Sequence, residues 1–238
     1  MTDALKTLRD RCLQEAMVIV ADSGIEALSM REVARRLNVS HQAPYKHFAS
    51  RDHILAEIVG MAFDDFAQHL EQRSRAADVE DEMMAMGLAY FEYAMMRPLE
   101  YRLMFSTPLP EPEAHPEMLQ KAGRCFALLE ESLRRLDYAR REGVDESMLQ
   151  RDALFIWALI HGASTAMNSD AMTVMPITRK TIDIAIPHIM ARIGTVLRSE
   201  VPDPLQIAQK QESIRQNFPS LLHRSKVASD RRRQGLPE

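Results

Sequence analysis

The sequence predicts an all-α protein with a small three-helix unit at its N-terminal end and a larger helical bundle after it. Glycine, which weakens helices, occurs only 8 times in 238 residues. Apolar residues recur at steps of three and four in most segments between turn signals, which is the period of an amphipathic helix. No segment alternates with period two for long enough to form a strand. These three observations together exclude a β or α/β architecture.

The overall composition indicates an ordinary globular chain. Apolar residues make up 46% and charged residues 27% of it. No apolar run reaches the ~18 residues that a membrane helix needs, and "MTDALKTLRD" has no apolar signal region. Cys12 and Cys125 are too far apart in sequence to suggest a disulfide framework. We therefore expect a cytoplasmic protein without membrane contact.

The first three helices are predicted from local signals. An apolar stripe runs from Ala4 to Asp22, and Gly24 is placed to end that helix in a left-handed conformation. Ser29 with Glu32 forms a capping-box pattern for a second, short helix. A tight turn at Asn38 follows. Ser40 is then a candidate N-cap for a third helix to Phe48, in which Pro44 falls within the first turn, where a missing N–H costs least.

The remaining helices are longer. We expect one from the cap Ser50 to about Ala76, one from Asp78 to the residue before Pro98, and a short one over Leu99–Phe105. The proline-rich loop "STPLPEPEAHP" precedes helices at 116–141, 145–168 and 178–198, the last kinked by Pro187. We expect a short helix near 203–216, followed by a polar segment that is disordered. The predicted domains are residues 1–50, residues 51–200 and a partly disordered tail, residues 201–238.

Positive charge is concentrated near the N-terminal end. The whole chain carries a net charge of -4. Residues 29–51 nevertheless hold five Lys or Arg against one Glu, which gives +4. A basic patch on an acidic body is the footprint expected of a nucleic-acid binder.

Two short helices joined by a tight turn describe a helix-turn-helix, whose second helix enters the major groove of DNA. The side chains at its start suit base edges, and those that follow suit phosphate oxygens. Arg31 can reach either, and the capped start of the next helix adds backbone N–H groups and a cation. The predicted DNA-binding residues are Ser29, Arg31, Ser40, His41, Gln42, Ala43, Tyr45, Lys46, His47 and Arg51.

Residues 13–58 resemble the TetR family of bacterial transcriptional regulators. The resemblance is carried by Gly24, by "REVARRLNVS" and above all by "YKHFASR" before an apolar run. It implies that Tyr45 and His47 grip phosphates and that Arg31, His41, Gln42 and Ala43 lie near bases. Many members have a glycine near position 42, so Gln42 departs from the pattern and the base preference is not transferred.

The C-terminal part resembles the branch of the family with a WHG-type domain, through Trp157, His161 and Gly162 in "FIWALIHGAS". The favoured interpretation packs this helix face in the core or a dimer seam, with Gly162 allowing close approach. The alternative places it in a ligand cavity. Sixteen methionines, which adapt to irregular apolar shapes, are compatible with such a cavity, although core filling is the favoured role for most of them. Its predicted lining residues are Met95, Met104, Trp157 and His161.

The resulting hypothesis is an N-terminal helix-turn-helix DNA-binding domain joined to a C-terminal ligand-binding and dimerisation bundle. It would act as a homodimer on a palindromic operator, as a repressor released by a small apolar effector, without cofactor, metal or catalytic residues. Two rivals stay open. One is an α-helical enzyme using His161, Asp152 or the Asp64–Asp65 pair; the other is an interaction module that keeps the helix-turn-helix as scaffold.

Overall fold

A computed structural model describes residues 7–72, 79–199 and 203–217, and every regular element in these ranges is helical. The chain divides into two compact units, residues 1–197 and residues 198–238. The all-α prediction is confirmed. The helices are α1 Leu8–Ser23, α2 Met30–Arg36, α3 Arg51–Glu71, α4 Val79–Met96, α5 Pro98–Phe105, α6 Pro116–Arg135, α7 Glu146–Met167, α8 Ala171–Val174, α9 Arg179–Asp183, α10 Ala185–Arg198 and α11 Pro204–Asn217.

Helix α1 is bounded by strong local signals at both ends. Thr7 and Asp10 form a reciprocal capping box, so the helix begins at Leu8. The predicted start at Ala4 lies outside the described residues. At the other end Gly24 adopts φ 79°, and its N–H donates to the carbonyl of Val20. A side chain rarely adopts such a φ, which explains the glycine at this position.

Helix α2 and the turn after it follow the prediction with one difference. The Ser29 hydroxyl accepts from the N–H of Glu32, as expected of an N-cap. The Glu32 carboxylate accepts from Arg35 and Arg36, so the capping box is only half formed. Asn38 adopts φ 51°. The N–H groups of Asn38 and Val39 donate to the carbonyls of Arg35 and Ala34, the two bonds of a Schellman motif.

The predicted third helix from Ser40 to Phe48 is wrong in form. The segment is a turn followed by a single 3-10 turn, Pro44–Lys46, and no side chain caps it. Pro44 has no N–H to give to the carbonyl of Ser40, so the first α-helical bond cannot form. The Ala43 N–H donates to that carbonyl instead, which tightens the chain. The element is consequently shorter and stiffer than a helix.

Helix α3 is the central element of the first unit. Ser50 caps it as predicted, and it ends at Glu71, before the predicted end at Ala76, which lies outside the described residues. Its apolar face packs against α1 at one end and against α4, α5 and α6 along the rest. Phe66 is at the centre of that core, with ring centroids 5.0 Å from Tyr90 and 4.9 Å from Tyr93.

The C-terminal helices differ from the prediction in their ends. Helix α6 stops at Arg135, and a 3-10 turn replaces the rest of the predicted helix. The short α8 lies in a segment predicted as a linker. The kink expected from Pro187 is a break at Ile184 between α9 and α10, because proline removes a hydrogen bond to residue 183 and its ring clashes with that carbonyl.

Within the second unit, α11 confirms the short helix expected near residues 203–216. The disorder predicted for the end of the tail concerns residues outside the described ranges. None of the helices described is both long and apolar enough to cross a membrane.

Candidate functional site

A row of exposed polar side chains surrounds the 3-10 turn after α2. His41, Gln42, Lys46 and His47 are exposed, and Tyr45 is 48% exposed, which excludes a role for Tyr45 as a core aromatic. Among the described residues none of these five side chains has a hydrogen bond or an ion pair. A set of donors and acceptors that is held at the surface without partners is available to a ligand.

The row is fixed from beneath by two buried residues. Pro44 and Phe48 are both buried, so the short element is anchored at both ends. The Phe48 ring packs edge-on against His53, with centroids 5.9 Å apart, and the guanidinium of Arg9 lies 5.5 Å from its centre. In the sequence, Pro44 and Phe48 flank the exposed residues 45–47. Stiff backbone and buried anchors together preorganise the exposed side chains.

The basic residues of this region divide into exposed and structural ones. Arg31 is exposed at the start of α2, and no described residue pairs with it. Arg36 is half-buried and pairs with Glu32 and Asp22 at 3.1 Å, which holds α2 on α1. Arg35 pairs with Glu32 within α2. Hydrogen bonds from Arg35, which has the larger effect, and from Arg36 lower the pKa of the Glu32 carboxyl to about 2.

Arg51 has its donors committed within the chain. Its Nε donates to the carbonyl of Leu28 and its terminal nitrogen to that of Ile25, both at 2.9 Å. These bonds tie the loop between α1 and α2 to the start of α3. Ser29 is half-buried and used as the α2 cap, while Ser40 is exposed and Ala43 half-buried beside Gln42. Arg51 and Ser29 are therefore engaged in holding the fold.

A cavity of about 420 Å³ lies in the bundle, between α3, α4, α5, α6, α7 and α10. Rings and thioethers form most of its wall. Met104 and Trp157, both predicted, line it. The other lining residues are Phe63, Phe66, Leu70, Met83, Met86, Gly87, Tyr90, Phe105, Leu109, Ala122, Cys125, Phe126, Leu129, Leu154, Ile156, Ile160 and Met190. The volume and the apolar wall are those of a small-molecule site.

His161 and Met95 do not line this cavity. His161 lies behind Trp157, with the two rings stacked at 4.9 Å and 16°. Met95 is 47% exposed, because the inward face of α4 is formed by Met83, Met86, Gly87 and Tyr90. That face follows a step of three and four residues, and Met95 falls outside it. The spacing relates the α4 lining residues to one another, but it does not by itself identify the side of this apolar helix that faces inward.

A polar cluster adjoins the Tyr90 side of the cavity. The hydroxyls of Tyr90 and Tyr101 both approach Nδ1 of His161, at 2.9 and 2.8 Å. Tyr101 also lies 3.3 Å from the hydroxyl of Thr165. Burial lowers the pKa of His161 and raises the pKa of both tyrosines. The cluster is thus neutral at physiological pH, and its members come from α4, α5 and α7.

The Asp64–Asp65 pair, considered above as catalytic, contacts side chains on other helices. Asp64 pairs with Lys121 at 2.7 Å, and Asp65 accepts the hydroxyl of Tyr93 at 3.0 Å. Burial raises the pKa of the Cys125 thiol to about 12, which removes its nucleophilic form at neutral pH. Asp64 and Asp65 therefore have structural partners, and the Cys125 thiol stays protonated at neutral pH.

One face of α7 is apolar and open to solvent. Leu154 is 55% exposed, Phe155 40% and Leu159 39%, and they lie on one side of the helix with Gly162. A Cβ added at Gly162 would meet no atom of the described chain within 4 Å. The expected close helix approach at Gly162 is therefore absent within the part of the chain that the structure describes. An exposed apolar stripe of this kind is typical of an interaction surface.

One helix, α3, connects the polar row with the cavity, and α6 packs against it. Helix α3 begins at Arg51, next to the row, and contributes Phe63, Phe66 and Leu70 to the cavity wall. Helix α6 lines the cavity with its middle, and near its start Lys121 packs over Gly60 of α3. The two surfaces consequently share one rigid element, α3.

Comparisons with known proteins agree with this organisation. Residues 13–58 match the sequence model for "Bacterial regulatory proteins, tetR family", and residues 83–185 match that for "Tetracyclin repressor-like, C-terminal domain". The second match includes Trp157, His161 and Gly162. Together the two matches cover the polar row and most of the cavity wall.

Among relatives, the HTH-type transcriptional regulator Mb1846 of Mycobacterium bovis is 27% identical over 48% of this chain and 50% of its own length. The HTH-type transcriptional repressor KstR of Mycolicibacterium smegmatis is 26% identical over 40% of this chain and 47% of its own. The chain thus spans about half the length of these relatives.

A solved structure extends the likeness to most of the fold. The TetR family transcriptional regulator PfmR of Thermus thermophilus superimposes with a TM-score of 0.53 and 22% identity, over 81% of this chain and all of that one. The two sequence matches and this shared fold lead to one assignment. The chain belongs to the TetR family of bacterial transcriptional regulators.

Proposed function

We propose that the chain is a sequence-specific DNA-binding regulator that acts as a homodimer on a palindromic operator, as a repressor released by a small apolar ligand. The observation that carries the proposal is the exposed polar row, held on buried Pro44 and Phe48 and without partners among the described residues. The relative named as the transcriptional repressor KstR supports the choice of repressor over activator.

In this proposal the row divides into two tasks. We call residues 40–47, the turn and 3-10 turn after α2, the recognition element. Base edges are read by the residues at its start, His41, Gln42 and Ala43, with Ser40 beside them. The amide of Gln42 can bond adenine through both of its groups, and the methyl of Ala43 suits thymine. Tyr45, Lys46 and His47 bind phosphates and set the register, together with Arg31.

Arg51 and Ser29 take a positioning role rather than a direct one. The guanidinium of Arg51 is bonded to two backbone carbonyls, and the hydroxyl of Ser29 caps α2. Both hold the elements that present the row. The N-terminal end of α3, with the cap Ser50, remains suited to a phosphate because its backbone N–H groups point outward from the helix.

Dimerisation follows from two arguments. A single recognition element buries too little surface for tight, specific binding, and an operator's symmetry mirrors that of its protein. The exposed apolar face of α7, with Leu154, Phe155 and Leu159, is the surface that a second copy would cover. Gly162 on the same face would allow its backbone to approach a partner helix closely.

The first experiment selects bound duplexes from a random pool and then measures affinity against salt concentration. We expect a palindrome, and a steep loss of affinity between 50 and 200 mM salt, by about 10³-fold or more for six phosphate contacts. If affinity does not depend on salt, or if no sequence is enriched, the alternative stands that the chain is an interaction module in which the helix-turn-helix is only a scaffold.

Variants then separate the two tasks. Gln42→Ala should lower discrimination between the selected duplex and a mismatched one by about 1–3 kcal/mol while preserving binding to random DNA. Tyr45→Phe should weaken binding to both duplexes alike. Arg102→Ala, an exposed arginine in α5, is the matched surface control and should change neither. Equal losses on all duplexes for Gln42→Ala would contradict base reading.

Sedimentation tests the dimer. Leu159→Glu places a charge in the α7 face and should convert the dimer to a monomer with weakened operator binding. Leu119→Glu changes an exposed leucine of α6, 52% exposed, and should leave the assembly intact. A wild-type monomer in the presence of operator, or a dimer unaffected by Leu159→Glu, would contradict the proposed interface.

A further inference from the structure

The wall of the cavity is uncharged. The lining residues that the structure describes include no Lys, Arg, His, Asp or Glu. Only Tyr90 and Cys125 among them can ionise, and burial raises the pKa of each, that of Cys125 to about 12. The wall therefore offers a ligand neither a counter-ion nor a group that acquires charge near neutral pH.

Three cations of α6, two beside its lining residues and one beyond them, are already paired. Two of them alternate with the lining residues on the helix, so they lie on another face of it. Each of the three is within 2.7 Å of a carboxylate on another helix. The pairs are Lys121 with Asp64, Arg124 with Glu71 and Arg135 with Glu82. A ligand carboxylate would have to break one of them to gain a partner.

Among the described lining residues Tyr90 is the one that carries a hydroxyl, and this hydroxyl contacts His161, Tyr101 and Trp157. A single ring nitrogen of His161 faces two hydroxyls, and it forms a full hydrogen bond with only one at a time. Tyr101 has Thr165 and the carbonyl of His161 as further partners, at 3.3 and 3.4 Å. The Tyr90 hydroxyl can consequently turn toward a ligand while the Tyr101 hydroxyl keeps hydrogen-bond partners.

We propose that the cavity binds an uncharged, largely hydrocarbon ligand whose one polar group, a hydroxyl or carbonyl oxygen, is held by Tyr90. Carboxylates and quaternary ammonium ions are excluded, because either would be desolvated in this wall without a counter-charge. The inference deepens the proposed effector role and rests on it for its regulatory meaning, but the binding itself is separable.

The test uses three probes with the same ten-carbon chain: 1-decanol, decanoate and decyltrimethylammonium. Trp157 is the one tryptophan of the chain and lines the cavity, so its emission reports occupancy. At pH 7.5 we expect 1-decanol to bind at least tenfold more tightly than either ion. Decanoate should bind through its protonated fraction, about 10⁻³ at this pH given an ordinary carboxyl pKa of about 4.3. Its affinity should then rise about tenfold for each pH unit below 7.5.

Tyr90→Phe separates the hydroxyl from the ring. It should weaken 1-decanol at least threefold and leave naphthalene, which has no polar group, unchanged. Equal losses for both probes, or none for 1-decanol, would overturn the Tyr90 contact. Decanoate binding as tightly as 1-decanol with no pH dependence would place its head group in solvent near Leu109 and overturn the proposal. A Trp157 signal that responds to none of the probes would do the same.

A duplex-release assay keeps this inference distinct from the proposed function. If 1-decanol binds at Trp157 and the operator stays bound, the ligand class stands and the effector role falls. If decanoate binds more tightly than 1-decanol and releases the operator, the effector role stands and the ligand class falls.

Discussion

Gly87→Ala tests the cavity wall at a close contact between α4 and Met190 of α10. A Cβ built on Gly87 lies 2.5 Å from Sδ and 2.6 Å from Cε of Met190, and 3.3 Å from Cδ1 of Ile160. Carbon contacts are optimal at about 3.5–4.0 Å. The thioether must therefore move by about 1 Å or more, and the adjacent free space is the cavity that Gly87 and Met190 both line.

Two effects oppose each other in the stability of this variant. Alanine in a helix interior is favoured over glycine by about 0.5–1 kcal/mol. Overpacking costs about 1–3 kcal/mol, here near the lower end because the end of Met190 is flexible. Gly123→Ala provides the matched control, because its Cβ would meet no atom within 4 Å. Gly123→Ala should therefore gain the stability that alanine gives over glycine in a helix, with no cost from overpacking.

We therefore expect Gly123→Ala to be stabilised by about 0.5–1 kcal/mol in urea unfolding and Gly87→Ala to be about 1 kcal/mol less stable than that control. Titration of Trp157 emission with 1-decanol should show at least tenfold weaker binding to Gly87→Ala and no change for Gly123→Ala. Equal stabilities of the two variants with equal 1-decanol affinity would refute the close contact between α4 and Met190.

Three further variants test the scaffold around the two sites. Asn38→Ala should cost about 1 kcal/mol in urea unfolding because alanine is strained at φ 51°, whereas Asn38→Gly should be near neutral; the reverse order would contradict the left-handed turn. Arg51→Met removes two charge-assisted bonds from a side chain that is 35% exposed, and should cost about 1–3 kcal/mol; unchanged stability with lost DNA binding would return Arg51 to a phosphate contact. Burial lowers the pKa of His161 below the 6.5 of the unfolded chain, so its contribution to stability is present above pH 6.5 and is lost as the pH falls from there through the lowered pKa of the folded state. His161→Gln should then lose less stability than the wild type between pH 7.5 and 5.5 in thermal unfolding, and equal losses would argue against a buried, neutral imidazole.

Most of the N-terminal part could be predicted from sequence because its signals are local. Ser29 and Ser50 cap helices by hydrogen bonds that span three residues. At the end of α2, the turn at Asn38 supplies backbone N–H groups to the last carbonyls of the helix. The third element was missed in form because one local rule, the Ser40 cap, conflicts with another, the missing N–H of Pro44. The polar row itself did not depend on that outcome, because the burial of Pro44 and Phe48 fixes which side chains face outward.

The cavity could be predicted only in part because its walls come from distant segments. Met104 and Trp157 were identified, but "YFEYAMM" in α4 is apolar almost all round, so periodicity alone does not say which side faces inward. Packing against α3 and α10 decides it, and Met95 falls outside. The polar cluster joins Tyr90, Tyr101 and His161 over more than 60 residues, and no local signal connects them.

The proposed release of DNA requires that cavity and recognition element move together, and α3 provides the lever. From Phe66 in the cavity wall to Arg51 beside the polar row is 15 residues, or about 22 Å of helix. A ligand that tilts α3 by about 5° about its cavity end would displace its start by about 2 Å at this length. In a two-fold dimer both recognition elements would move, which changes their separation by up to about 4 Å against the fixed ~34 Å spacing of successive major grooves. Because packed interiors rearrange between discrete arrangements rather than deform continuously, such a shift acts as a switch.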